Sequence, residues 1–450
     1  MRILISLILL QSLLVNGQEI FPAIDWSKAG LLDRAVYNLK KVNFHELQEG
    51  SDLSADEVLD QIIAENPEGC IVHFAKGEYH FTKPIKLKSN FIFKGEGAAY
   101  TTIIFDLGSQ QSPIQITGKR LEAVDPIVSN LSYGDTVISG AIRGLETNKA
   151  LNSDYYLLRD IDEDLVTSDW SVGKSGQVIS VRSIKDDQII FNEAIRRSYL
   201  IENKVTLIPI DMAINVGIEN LAIVNNTKTE QQTSNIHFSY AANCWVDGVT
   251  SRKCNYSHIL FEFSSHCEVR NCNIMDAHDY GNGGKAYGIT LQFATSDCLI
   301  IGNTLKRLRH AILLQAGANG NVVHANRSSE PFWEDVMLPS NAAGDLVLHG
   351  NYVYANLFQH NICQQIVIDN SHGKNGPDNV FFSNTAEGYG IIMNRNSIDG
   401  NIYFINNIIQ NEKGIKGKYK TKGDVIEQFN QVKGKIKPKG SQKLNKESLR

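Results

Sequence analysis

Between Ile214 and Ile409 short apolar runs alternate with turn residues at a nearly fixed spacing. Cys244 and Val246 precede Asp247 and Gly248, Cys267 and Val269 precede Asn271, and Leu299, Ile300 and Ile301 precede Asn303. Val322 and Val323 precede Asn326, Leu357 and Phe358 precede Asn361, Val380 and Phe381 precede Asn384, and Tyr403 and Ile405 precede Asn406. From turn to turn the steps are 22 or 23 residues, with two longer ones of 32 and 35. Repeats of this length, built from short strands and Asn or Gly turns, predict a solenoid whose coils each give one strand to each of several parallel sheets. The L-x-x-L-x-L frame of a leucine-rich repeat is missing. Asparagine marks the same region, with 28 among the 197 residues from Asn215 to Asn411. Asn disfavours helix interiors, whereas stacked Asn side chains can hydrogen-bond from coil to coil at one corner. The predicted fold is all-β, a right-handed parallel β-helix.

The strand after each turn repeats as well. It reads Ile236 to Ser239, Ile259 to Glu262, Ile289 to Gln292, Ile312 to Gln315, Leu346 to His349, Ile366 to Asp369 and Ile391 to Asn394. Side chains alternate along a strand, so with the first and third residues inward the fourth points out. Ser239, Glu262, Gln292, Gln315, His349, Asp369 and Asn394 then form one outward column, with neighbours about 4.8 Å apart. The other outward positions, Leu260, Leu313, Val347, Val367 and Ile392, are apolar, which predicts that something covers part of this sheet.

Both long steps place insertions just before strands of this sheet. The first carries His278, Asp279, Tyr280 and Lys285 and leads to Tyr287; the second carries Glu330, Phe332, Trp333, Glu334 and Asp335. Between them lies a coil with Arg307, Arg309 and His310, and downstream His372 and Lys374 follow Asp369. A cleft walled by the two insertions is expected.

The flanks read differently. Residues 1–17, with Arg2, an apolar run interrupted at Gln11 and Ser12, and the small Gly17, predict a signal peptide and a secreted or periplasmic protein. The run is too short and too interrupted to span a membrane. Residues 18–117 hold a cap and the first coils. Within them Ser54 and Glu57 make a capping box ahead of Val58, Leu59, Ile62 and Ile63, predicting an N-terminal helix that closes the solenoid's open edge. Residues 118–212 break the repeat with strand-like segments, predicting an inserted β-rich subdomain. The main coils occupy 213–410. Residues 411–450 carry 11 Lys and one Arg against four acids and read as a basic tail.

Phe74 to Phe81, Ile85 to Leu87, Phe93 to Gly97 and Thr101 to Phe105 resemble the opening coils of pectate-lyase-like β-helix proteins. The resemblance covers these coils and the repeat region. It implies architecture more than activity, because that superfamily holds lyases, glycoside hydrolases, epimerases and non-enzymatic fibres.

Composition narrows the partners. With 42% apolar and 21% charged residues and a net charge of −5, neither disorder nor a nucleic-acid surface is indicated. Seven cysteines without C-x-x-C spacing read as small buried hydrophobes. A polar column beside an elongated cleft suits a polysaccharide, and the basic groups suit an anionic one; a monomer is expected.

The first reading is a lyase acting on a uronic-acid glycan by β-elimination, which needs a carboxylate neutralised, a base and an acid. Catalytic candidates are His278, Arg309, His310, Tyr287 and His349, with Tyr280 as a further acid. Substrate-binding candidates are Glu262, Lys285, Gln292, Gln315, Trp333, Asp369 and His372. A calcium ion held by Glu262 and Asp369 is the one cofactor conceivable. They stand several rungs apart, too far for one ion, so no required metal or other cofactor is expected. A glycoside hydrolase would have to join a column carboxylate to a loop acid. An epimerase shares the lyase's proton abstraction, and a non-catalytic glycan-binding protein remains a third class.

Overall fold

The computed structural model describes residues 14–15, 18–19, 21–32, 39–122, 129–139, 153–185, 188–281, 283–333, 344–394, 398–410, 425–432 and 435–436. Most of the leader, most of the basic tail, Glu334 and Asp335 lie outside the described residues, as does the side chain of Asn394.

The turn spacing becomes three parallel sheets that wrap one interior. The first sheet stacks twelve strands in chain order, from Lys41–Asn43, Ile71–His73 and Ile92–Lys94 through Gly217–Glu219 and Trp245–Asp247 to Val425–Gln428. The second begins at Gly77–Phe81 and Thr101–Phe105 and continues through Ala222–Asn225, Thr250–Cys254 and Asn273–Ala277. The third runs from Ile85–Leu87 and Ile114–Thr117 to Ile236–Ser239, Ser257–Glu262, Tyr287–Gln292, His310–Leu314 and Leu346–Leu348. Ile362–Asp369 and Thr385–Asn394 bend through the corner between the second and third sheets.

Residues alternating along each strand fill the interior. Phe238 stacks on Phe261 at 4.6 Å, and Phe358, Phe381 and Phe404 form a column at 4.6 and 5.1 Å. All seven cysteines are free thiols buried among these side chains.

The corner between the first and second sheets explains the asparagines. Gly248, Asn271, Gly302, Ala325, His360, Ser383 and Asn406 take positive φ there and stand 23 residues apart except across the two insertions. The following residue carries the ladder. Asn303, Asn326, Asn361, Asn384, Asn407 and Asn430 are buried, and each of the first five donates its side-chain amide to the Oδ1 of the next at 2.9 to 3.1 Å. The same Oδ1 atoms accept backbone N–H groups that the turn leaves unpaired, as from Asn326 to Asn361 at 2.9 Å. The sequence steps of 22 and 32 each run between the turn residue of one coil and the ladder residue of a neighbouring coil, whereas from turn residue to turn residue they are 23 and 31. Asn321, Asn356 and Asn379 make a second, shorter ladder at the entry to the first sheet.

At the N-terminal end, helix Ala55–Glu65 starts in a complete Ser54/Glu57 capping box and buries Val58, Leu59 and Ile62 in the core that holds Phe74 and Phe81. Asp56 fixes it to the coil below by accepting from the backbone N–H groups of Thr82 and Lys83, both at 3.1 Å.

Residues 118–212 leave after Ile114–Thr117 and return ahead of Gly217–Glu219, so the insert sits at the corner between the third and first sheets. It forms a six-stranded antiparallel sheet of Lys119–Arg120, Thr206–Asp211, Tyr155–Arg159, Gln177–Lys185, Gln188–Phe191 and Val137–Ser139, in that order. One face encloses its own core around Tyr156, Ile179 and Phe191. The other packs Leu157, Val178, Ile208 and Ile210 on Ala242, Phe263 and Ala294 of the β-helix.

A buried histidine gives the coils an acid-sensitive point. His258, fully buried, lies 2.8 Å from Ser251 Oγ and 2.9 Å from the Asp276 carbonyl oxygen. Burial pushes its pKa down from 6.5 to about 3. The unfolded chain therefore binds the extra proton between those values, and stability falls as pH falls through that window. His258→Gln is expected to remove about 3 kcal/mol of the stability loss between pH 6.5 and about pH 4. Denaturant unfolding of both proteins at the two pH values measures it; equal losses would assign the acid sensitivity to other groups.

Candidate functional site

The third sheet places the polar column in register. Ser239 pairs with Glu262 and Glu262 with Gln292. Leu291 pairs with Leu314 and Leu314 with Leu348, which sets Gln315 and His349 one residue on at successive rungs. Leu348 pairs with Ile368 and Asp369 with Asn394, completing the stack. The column points away from the β-helix interior, yet it is not open to solvent along its length. Gln292, Gln315, His349 and Asp369 are all buried.

Two aromatic residues account for part of that cover. Tyr256 and Tyr287 pack with Leu260, Leu313, Val347 and Val367, the apolar outward column. The Tyr256 hydroxyl donates to Gln292 Oε1 at 3.0 Å and accepts from Gln315 Nε2 at 3.1 Å. Gln315 also donates to Gln292, and Gln292 donates to Glu262 Oε1 at 2.7 Å. His237 lies 2.9 Å from the other Glu262 oxygen. Burial works against ionisation of Glu262, but His237, Gln292 and the charge of Lys174 hold its pKa below the usual value.

Beside this chain opens a cleft of about 620 Å³ lined by Trp170, Gln232, Tyr256, Glu262, Gly283, Gly284, Tyr287, Gln292, Phe293, Arg309, Gln315, His349 and His372. It draws on the third sheet, Gly283 and Gly284 of the first insertion, Trp170 of the inserted subdomain, Gln232 ahead of the Ile236 strand and the turn that holds His372. Trp170, 43% exposed, comes from the subdomain, and its ring lies 6.1 Å from Phe293. The Arg309 guanidinium lies 5.8 Å from the Tyr287 ring and donates to the Gly281 carbonyl at 2.9 Å. His349 Nε2 is 3.6 Å from Asp369 Oδ2, and its ring stacks on His372 at 4.6 Å. Burial holds the His349 pKa down to about 4, against the pull of Asp369, so the imidazole is neutral near neutral pH. Burial also raises the Tyr287 phenol, which stays protonated.

Of the residues expected from the sequence, Tyr287, Arg309, His349, Glu262, Gln292, Gln315 and His372 line this cleft, with Asp369 directly behind His349. His310 lies beneath, buried, with Nδ1 3.1 Å from the Gly344 carbonyl and its ring 4.8 Å from Tyr287. His278 is elsewhere: it follows the second-sheet strand Asn273–Ala277, and its Nε2 lies 2.9 Å from the Asn225 carbonyl oxygen two coils back. Lys285 is bound to Asp279 at 2.7 Å beside a smaller pocket. That contact and the Gly281 N–H hold the Asp279 pKa down to about 2. Trp333 is not free to stack on a sugar with the face that Arg309 covers at 4.3 Å. Tyr280 hydrogen-bonds to the Arg307 carbonyl at 3.0 Å, and Arg307 pairs with Asp276 at 2.8 Å. Trp170, Phe293, Tyr256 and Gln232 were not anticipated. Tyr256 carried a weak signal, since it stands three residues before Ile259 of the repeated strand and faces the polar column.

Glu262 is the one carboxylate among the described residues lining the cleft. Four rungs separate it from Asp369, about 19 Å at the usual strand spacing. That is too far for one calcium ion and beyond the roughly 5 to 9.5 Å that paired-carboxylate hydrolysis needs. Among the described residues no helix is long and apolar enough to cross a membrane.

A family model for a right handed beta helix region matches residues 195–358, and one for rhamnogalacturonase A/epimerase, pectate lyase-like, matches residues 49–133. No curated protein matches the chain in sequence. Among solved structures the chain is similar to the gp54 tailspike of Acinetobacter baumannii bacteriophage AP22 in complex with A. baumannii capsular saccharide. The identity is 13% and the TM-score 0.52, covering 87% of this chain and 69% of that one. It is also similar to the Pseudomonas phage phi297 tailspike gp61, at 12% identity and TM-score 0.55 over 89% of this chain and 76% of that one. The tailspike protein gp49 from Pseudomonas phage LKA1 aligns at 14% identity and TM-score 0.51 over 84% and 71%. At these identities the likeness is one of fold.

Proposed function

We propose that this chain, a right-handed parallel β-helix protein of the pectate-lyase-like superfamily, is a secreted enzyme that cleaves a uronic-acid-containing polysaccharide by β-elimination. One observation carries the reading: the His349 imidazole, backed by the Asp369 carboxylate, and the Arg309 guanidinium line the same cleft.

Arg309 neutralises the uronate carboxylate, which acidifies the proton on the carbon alpha to it. His349, oriented by Asp369, takes that proton. The electron pair left behind forms the carbon–carbon double bond as the bond from the beta carbon to the glycosidic oxygen breaks. Tyr287, protonated, supplies the proton that the leaving oxygen needs. Glu262, Gln292 and Gln315 offer hydrogen bonds to sugar hydroxyls along the groove, and the Trp170 and Phe293 rings offer stacking faces to the sugar rings.

Incubation with a panel of uronic-acid polysaccharides is expected to raise ultraviolet absorbance through the conjugated unsaturated uronate. New reducing ends without that absorbance would select hydrolysis instead. Neither signal from any acidic glycan would leave binding or epimerisation and overturn cleavage.

A further inference from the structure

We propose that His349, Asp369 and His372 form a binding site for a divalent transition-metal ion of the zinc class, open toward the cleft. One donor atom from each residue lies within 4.8 Å of the other two. The three come from adjacent rungs: His349 follows the strand Leu346–Leu348, Asp369 ends Ile362–Asp369 on the next rung, and His372 sits in the turn beyond.

The separations favour a cation over a direct contact. His349 Nε2 and Asp369 Oδ2 are 3.6 Å apart, longer than a good N–H···O hydrogen bond. Donors about 2.0 to 2.1 Å from a tetrahedral zinc ion stand ~3.3 Å from one another. A small inward movement of each side chain closes that gap around an ion. His349 is only 9% exposed, so an ion held at its Nε2 sits at the floor of the cleft. Asp369 is oriented through its other oxygen, which accepts the Ser371 N–H at 2.8 Å. Such support around a ligand is what fixes a metal site.

Donor chemistry narrows the ion. Two imidazoles and one carboxylate suit zinc, nickel, cobalt or copper, whereas calcium and magnesium prefer oxygen throughout. Three protein ligands with the fourth side facing a cleft match sites that keep a position for water or substrate. This site does not rest on the elimination reading. Where both hold, an ion and a proton compete for the same imidazole, and the ion inhibits cleavage.

The test uses the full chain freed of metal with a chelator. Calorimetry with zinc chloride is expected to show one ion per chain, and cobalt(II) to give a visible spectrum that zinc abolishes and excess calcium or magnesium does not. His372 is on an exposed turn, so His372→Ala folds as the parent does; it and the isosteric Asp369→Asn are each expected to weaken binding by at least about tenfold. His360→Ala, beside the separate His324 pair, is expected to leave binding unchanged. No binding by the parent protein, or parental affinity in both His372→Ala and Asp369→Asn, would overturn the site. Because binding is read without substrate, failure here and failure of the elimination reading are separate results.

Discussion

His349→Ala is expected to lower kcat on the cleaved glycan by about a thousandfold, the middle of the range that a positioned general base contributes. KM should change by only a few-fold, because substrate contacts along the ladder and with Arg309 remain. The removed ring borders the cleft, so the loss of packing is one-sided and the coils stay in register. Asp369→Asn should give a smaller fall, of about tenfold to a hundredfold, since it leaves the imidazole in place and weakens only its orientation. Steady-state kinetics on purified variants, with circular dichroism to verify folding, separate these outcomes. An unchanged kcat in His349→Ala would remove the base from the mechanism.

Arg196→Met is expected to destabilise the protein by about 3 to 5 kcal/mol, the range for removing one partner of a buried ion pair. Arg196 and Asp297 are both buried where the inserted subdomain meets the corner between the third and first sheets. The same guanidinium donates to Asn319 at 3.0 Å. Beside it Glu193 of the subdomain lies 3.0 Å from His266 of the β-helix and accepts from Ser180 Oγ at 2.8 Å. Burial raises the Asp297 pKa against the pull of Arg196 and His266, so losing Arg196 strands a buried acid. A second change, Asp297→Asn, should restore part of the stability by removing that charge. Denaturant midpoints of the single and double variants give the coupling, and a neutral Arg196→Met would show that the apolar contacts alone hold the subdomain. Trp170 belongs to the same insert, so loosening it should also raise KM for glycan.

The repeat could be read from the chain because its turns impose a local demand every 23 residues. Each corner strands backbone N–H groups in the interior, and an Asn amide can satisfy one coil while donating to the next. Asn326, Asn361 and Asn384 were visible for that reason. What the spacing blurred was that positive φ and ladder bonding belong to neighbouring residues: His360 and Ser383 take the strained backbone while Asn361 and Asn384 take the bonds. The outward column was equally readable, since strand alternation and coil length together fix the register of Glu262, Gln292, Gln315, His349 and Asp369.

The insertions followed no such rule. His278 and Lys285 stand in the sequence as close to the third sheet as Arg309 does. His278 instead turns back to a carbonyl of an earlier coil, and Lys285 is held by Asp279. Trp170 was invisible as a cleft residue, because its place depends on how a six-stranded sheet docks on the β-helix, which brings it to Phe293 more than a hundred residues on in sequence.

The sequence alone determined the coil, the corner and the outward face, because pairing between successive rungs is settled by residues within one repeat. Tertiary structure decided which outward groups meet in a cleft, which are covered and which loop residues turn away. Those outcomes depend on packing between the inserted sheet, the loops and the third sheet, where apolar faces and buried charges find partners that no local spacing specifies.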